Sequence, residues 1–244
     1  MTTRFPLISA IAATFALTTA LAGCATTDPQ SLAQNDPFEP ANREIFAFDI
    51  AVDKAVAKPA ATFYRSAVPE PARQGVHNAL ENLNSPVVFV NDVLQGEGER
   101  AVNTFGRFMI NSTVGLAGLI DVAADWGMPG RPNDFGITLG KGGVQEGSYL
   151  VMPFIGPKPP RDLLGDGVDI AFDPLTYMSW NNSTLYTMIR GGLSILDKRE
   201  ATLDTVESIE RTSIDFYATS RSLYRQNRNA QIRGEAANED LPNF

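Results

Sequence analysis

The chain has 244 residues, 43% of them hydrophobic, with 20 basic against 28 acidic side chains and a formal net charge of −8 at pH 7. That length suits one domain with a sizeable core, and the acidic balance argues against nucleic acid, whose phosphates it would repel. The single cysteine excludes an internal disulfide and cannot build a metal cluster by itself.

Residues 1–23 read as a secretory signal, with a basic residue at Arg4, an apolar run from Leu7 to Leu21 and small residues before Cys24. The segment is too short to span a membrane. Leu21-Ala22-Gly23-Cys24 matches a bacterial lipobox, in which the thiol receives a diacylglycerol and the new terminus an N-acyl chain. Each buried methylene of those chains adds roughly 0.8 kcal/mol to membrane binding. Ala25 is not the aspartate that tends to retain such lipoproteins at the inner membrane, so sorting to the outer membrane is expected. Removing residues 1–23 takes away one charge, that of Arg4, and leaves a net −9. No later stretch holds 18 uninterrupted apolar residues, so no conventional transmembrane helix is expected.

Residues 24–35 are small and polar and read as a tether. Residues 36–228 read as a helical domain, and residues 229–244 as a flexible polar tail. Asp36-Pro37-Phe38-Glu39 offers an N-cap, a proline at the first helical position and early acidic charge, which predicts an amphipathic helix ending near Pro59. Two further helices, about 70–82 and 85–95, are separated by a turn at the intervening asparagines. Ser85 to Val90 has strand composition, but the helical spacing through Leu94 favours helix.

The stretch from Arg100 to Ala123 carries two faces at 100° per residue. Arg100, Asn103, Thr104, Arg107 and Asn111 share one narrow arc, with Val102, Phe105 and Met109 opposite. The same wheel carried forward puts Gly115, Gly118 and Asp121 on or beside the polar arc, and Leu116, Leu119 and Ile120 near the apolar side. Two readings stand for this arc: a solvated surface face, or the lining of an internal passage.

Asp125 to Asp134 is dense in turn formers and reads as a loop. Phe135 to Pro160 keeps six glycines and reads as irregular or short extended backbone. Helix resumes over 161–171, again from Ser183, and over 201–228 with a break near Thr212-Ser213 where Asp215 can cap a new helix.

Enzyme signatures fail on chemistry. His77 is the only histidine, and no G-x-S-x-G elbow presents a nucleophile to it. Gly136 to Lys141 falls one residue short of a phosphate loop, and no Ser or Thr follows the lysine. Asp162, Asp166 and Asp169 read as a solvated face rather than a cation site.

Asp36-Pro37-Phe38-Glu39 with Asn42-Arg43, Val68-Pro69 with Pro71-Ala72-Arg73, and Asn91 with Leu94-Gln95-Gly96 resemble the opening signatures of the MlaA (VacJ) lipoprotein family. Arg107-Phe108, Asn111-Ser112-Thr113, Gly115, Gly118 and Ile120-Asp121-Val122-Ala123 resemble its most recognisable segment. Phe135-Gly136, Thr138-Leu139-Gly140, Gly147, Pro153-Phe154 and Arg161-Asp162 continue the likeness, which runs from about Asp36 to Arg225. The resemblance implies a mainly α, ring-shaped bundle of amphipathic helices, embedded in the outer membrane of a Gram-negative bacterium, lipid-anchored at Cys24 and facing the periplasm. It also implies a central polar channel, binding to trimeric porins, and removal of misplaced phospholipids to a soluble periplasmic carrier, MlaC. No further cofactor and no metal are expected. In that setting Arg107 and Asn111 are expected to meet lipid phosphate and glycerol oxygens, and Gly115 and Gly118 to keep the passage open. The competing expectation is a lipid-anchored brace for porins or the envelope, with no transport of its own.

Overall fold

The computed structural model describes residues 25–178 and 183–235. The signal segment, the lipidation position Cys24 and residues 236–244 lie outside the described residues.

Within the stretch read as a tether, Asp28 caps a short helix, α1 (Pro29–Ala33), by accepting the Ser31 amide. The next helix, α2, covers Glu39–Val52. Its expected cap, Asp36, is instead fully buried and turned toward the far end of the chain. Nor does the helix stop near Pro59. A π-helical turn at Asp53–Ala57 leads without a break into α3 (Lys58–Ala67), which carries Pro59 as its second residue inside the continuous helix.

The two helices expected over 70–95 are one, α4 (Glu70–Leu94), with Pro86 inside it. Then follow α5 (Gly98–Thr113) and the single turn α6 (Val122–Asp125). The glycine-rich region is less irregular than expected. Asp134 caps α7 (Phe135–Lys141) through the Ile137 amide, and β1 (Val151–Met152) pairs antiparallel with β2 (Gly156–Pro157). A Cβ at Gly165 would stand 2.4 Å from the Gly136 amide nitrogen, so these glycines let helices touch rather than break them.

Helix α8 spans Pro160–Phe172, a 3-10 turn Pro174–Tyr177, and α9 Ser183–Ala201. The break near Ser213 stands where expected, between α10 (Leu203–Thr212) and α11 (Phe216–Arg233), with Asp215 accepting the Ala218 amide. Helix α11 runs five residues past the boundary read at 228. It ends on Gly234 at φ +73°, the left-handed geometry that glycine supplies at a helix end.

The apolar core is small: Phe46, Tyr149, Val151 and Tyr217. Further apolar side chains such as Val87, Val88, Ile137, Leu203 and Val206 are buried outside that cluster, and buried polar networks join the elements. Asp36 accepts from Asn42 at 2.8 Å, Tyr217 at 2.5 Å and Arg221 at 2.5 Å, while Asn42 reaches the Tyr149 carbonyl and the Val151 amide. Asn91 donates to Asp169 and accepts from Thr138, and Asp92 accepts from Asn133 and Thr104, which ties α4, α5, α7 and α8 together. Asp162 accepts from Arg161, Tyr224 and Arg228. Burial raises the pKa of Asp162, but Arg228 and these hydrogen bonds outweigh it and hold the carboxyl below its ordinary value.

Large apolar side chains face outward instead. Phe63, Val102, Phe154, Leu164 and Met188 are each at least two-thirds exposed. Among the described residues, no helix is long and apolar enough to cross a membrane.

Candidate functional site

Helix α5 is amphipathic as its wheel predicts, but it stops at Thr113. Leu116, Ala117 and Gly118 then take positive φ angles of 55°, 60° and 92°. This left-handed turn folds the chain back over the helix end, where the Gly118 amide donates to the Asn111 carbonyl and the Ala117 amide to that of Ser112. Carbonyls that a helix end leaves without partners are thereby met.

The turn delivers Asp121 to the polar face of α5. Its carboxylate accepts from Arg107 at 2.7 Å and Asn111 at 2.8 Å, and it caps α6 through the Ala124 amide. Burial pushes the Asp121 pKa up, yet the hydrogen bonds from Arg107 and Asn111 prevail and lower it. Arg107 also donates to the Met128 carbonyl.

This cluster lies on the wall of a polar cavity of about 560 Å³, within the roughly 300–1,000 Å³ typical of ligand sites. Helix α4 contributes Gln74, His77, Asn78, Glu81, Asn82, Asn84 and Ser85, and α5 contributes Thr104, Arg107 and Asn111. The 130–132 loop supplies Arg131, α9 supplies Arg190, Ser194, Asp197 and Lys198, and α11 supplies Asn227 and Gln231. Val102, Phe105 and Met109, on the opposite face of α5, are exposed. The helix therefore separates a polar interior from an apolar exterior.

Four residues of the expected arc reach the cavity: Thr104, Arg107, Asn111 and Asp121. Four do not. Arg100 lies 3.9 Å from Glu97, and Asn103 donates to the Pro129 carbonyl. A Cβ on Gly115 would stand 2.2 Å from the Ile120 carbonyl oxygen, and one on Gly118 would stand 2.6 Å from Asn82 Cβ. These glycines therefore pack the turn and do not border the cavity. The family-signature residues also lie elsewhere. Asp36 and Asn42 belong to the buried network beside Tyr149, and Arg43 bridges Glu39 and Asp215. Pro37 accepts the Thr26 amide, and Phe38 precedes α2.

Sequence reasoning missed the α4 and α9 walls. His77 Nδ1 lies 2.8 Å from Asp197, and Arg190 pairs with Asp173. The signal was present in Gln74, Asn78, Glu81 and Ser85, which repeat at helical spacing. Cutting the helix at Asn82 hid it.

A family model described as MlaA lipoprotein matches residues 34–231. The chain is 35% identical over 234 residues to the intermembrane phospholipid transport system lipoprotein MlaA of Shigella flexneri, covering 93% of this chain and 90% of that one. The protein of the same description from Escherichia coli K12 matches at the same identity and coverage. An uncharacterized protein of Rickettsia felis is 32% identical, over 81% of this chain and 78% of its own length. A solved structure described as the structural basis for maintenance of bacterial outer membrane lipid asymmetry superposes with a TM-score of 0.72 at 33% identity. It covers 81% of this chain and 98% of that one.

Proposed function

The chain belongs to the MlaA lipoprotein family, and from that premise we propose that it draws misplaced phospholipids out of the outer leaflet of the outer membrane through its polar cavity. They pass to a soluble periplasmic carrier of the MlaC type, which maintains lipid asymmetry. Diacylglycerol and N-acyl chains on Cys24 anchor the protein, trimeric porins hold it in place, and its outlet faces the periplasm. The role is transport, and no residue is assigned a catalytic part.

The observation that carries this reading is the polar cavity set behind helices whose outer faces are apolar. A headgroup crossing a hydrocarbon layer roughly 30 Å thick loses its water at a cost of several kcal/mol for charged groups without partners. Amides, hydroxyls and charges along the cavity replace that water. A brace for porins has no use for such an interior.

The test is deletion of the gene followed by measurement of phospholipid reached by a phospholipase added outside the cell. Accumulation is expected, and the intact gene should reverse it. Ser194, a small residue on the α9 wall, gives the discriminating variant. Ser194→Trp should leave abundance and porin association normal while surface phospholipid rises. Clearance unchanged with the cavity so filled would favour the brace.

A further inference from the structure

Most charges on the cavity wall are already matched. Arg107 is held by Asp121, Arg190 by Asp173, and Asp197 lies against His77. Among the described residues, three charged side chains lining the cavity make no ion pair and no side-chain hydrogen bond: Glu81 on α4, Arg131 on the 130–132 loop and Lys198 on α9. Arg131 lies near enough to Glu97 to lower its pKa but contacts no carboxylate. Glu81 stands one helical turn beyond His77, and Lys198 directly follows Asp197. The 2.8 Å contact between His77 and Asp197 therefore brings the acidic and the basic group onto adjoining stretches of facing helices.

Resting on the transport reading above, we propose that Lys198 receives the phosphodiester of the transported lipid while Glu81, on the facing helix, receives an ammonium group. The cavity then favours phospholipids with an aminoalkyl headgroup over those with an uncharged polyol. The argument is one of desolvation. Both groups lose water when a headgroup enters, and a charged group desolvated without a partner is costly. A phosphate paired with an ammonium satisfies both. A phosphate carrying a polyol satisfies Lys198 and leaves Glu81 desolvated against additional negative charge.

The purified full-length lipoprotein in detergent is offered equimolar phosphatidylethanolamine and phosphatidylglycerol with identical acyl chains, and retained lipid is quantified by mass spectrometry. The parent protein should retain phosphatidylethanolamine several-fold more. Glu81→Gln should bring that ratio close to one without reducing total lipid. Lys198→Gln should lower both lipids at least fivefold. Both side chains are exposed and line the cavity, and thermal unfolding verifies that each variant is folded. Equal retention by the parent, or an unchanged ratio in Glu81→Gln, overturns the headgroup preference while leaving transport intact. Retention that survives loss of the Lys198 charge overturns the phosphate assignment. Inorganic phosphate displacing the lipid at millimolar concentration would mark a simple anion site and also overturn the proposal. A parent protein that retains neither lipid defeats the transport reading itself.

Discussion

Arg107 donates to Asp121 and to the Met128 carbonyl, so its charge is met before any lipid arrives. Beside its expected role as a phosphate partner it therefore has a structural one. Arg107→Ala strands Asp121 in a half-buried site and should cost about 2 kcal/mol, the scale of a charge-assisted hydrogen bond, with lower abundance in the cell. Chemical denaturation measures it. An Arg107→Ala protein as stable as its parent but defective in lipid clearance would leave only the direct role. The lowered Asp121 pKa gives the pair a pH signature. Its stabilisation is present above the ordinary carboxylate pKa and fades as pH falls through the lower folded-state value. Denaturation midpoints should therefore drop on acidification in the parent, and more shallowly in Arg107→Ala. Asp36 is the stricter case. It is wholly buried and accepts from three side chains, so Asp36→Ala leaves the buried Arg221 with only Glu39, at 3.3 Å, as a carboxylate partner and should cost about 3 kcal/mol. Loss of detectable folded protein, or a midpoint shift of that size, is the expected result. A loss of unfolding free energy under about 1 kcal/mol, well below the scale of a broken buried pair, would mean that water replaces the carboxylate. The sequence placed Asp36 in a signature but assigned it a capping role, because its partners Tyr217 and Arg221 lie some 180 residues away and no local pattern announces them.

At the scale of the element, the sequence served well where a polar side chain also did local work. Asp215 was read as a cap and is one. It misled where polar side chains served the interior. Asn82, Asn84 and Ser85 have the composition of a turn, yet they sit on one uninterrupted helix because their polar face is turned to the cavity. The α5 wheel failed in the opposite sense. Its helix ends at Thr113, and Asp121 regains the polar face by a left-handed turn that periodicity cannot foresee. Gly118 measures that turn. It holds φ +92°, and a Cβ there would meet Asn82, so Gly118→Leu is expected to unseat the turn from α4 instead of plugging a passage. Backbone strain of this kind costs roughly 1–3 kcal/mol, and Gly118→Ala should show most of that loss as a lowered melting temperature. Were Gly118→Leu fully stable and blocked in lipid clearance, Gly118 would border the passage after all.

At the scale of the molecule polarity is distributed unusually: among the described residues, buried polar side chains outnumber buried apolar ones. Its interior is held by networks of carboxylates, amides and arginines, while Phe63, Val102, Phe154, Leu164 and Met188 lie on the outside. In water each such side chain forgoes roughly 1.5–3 kcal/mol of burial, and monomeric soluble proteins seldom expose many together. Amphipathicity and the helical class were legible from α5 alone. What the sequence did not reveal is that apolar side chains of α5, α8 and α9 point outward together, since that depends on how the helices close around the cavity. The arrangement predicts membrane seating that does not depend on the acyl anchor. A Cys24→Ala form with a conventional cleavable signal removes the lipid and leaves the apolar exterior untouched. That form should still sediment with membranes after high-salt washing, and it should enter solution only with detergent. Salt is the relevant wash because it screens charge attraction and leaves apolar contacts intact. If the unlipidated protein is instead released by salt and runs as a monomer in plain buffer, its apolar faces do not meet lipid and anchoring rests on Cys24 alone.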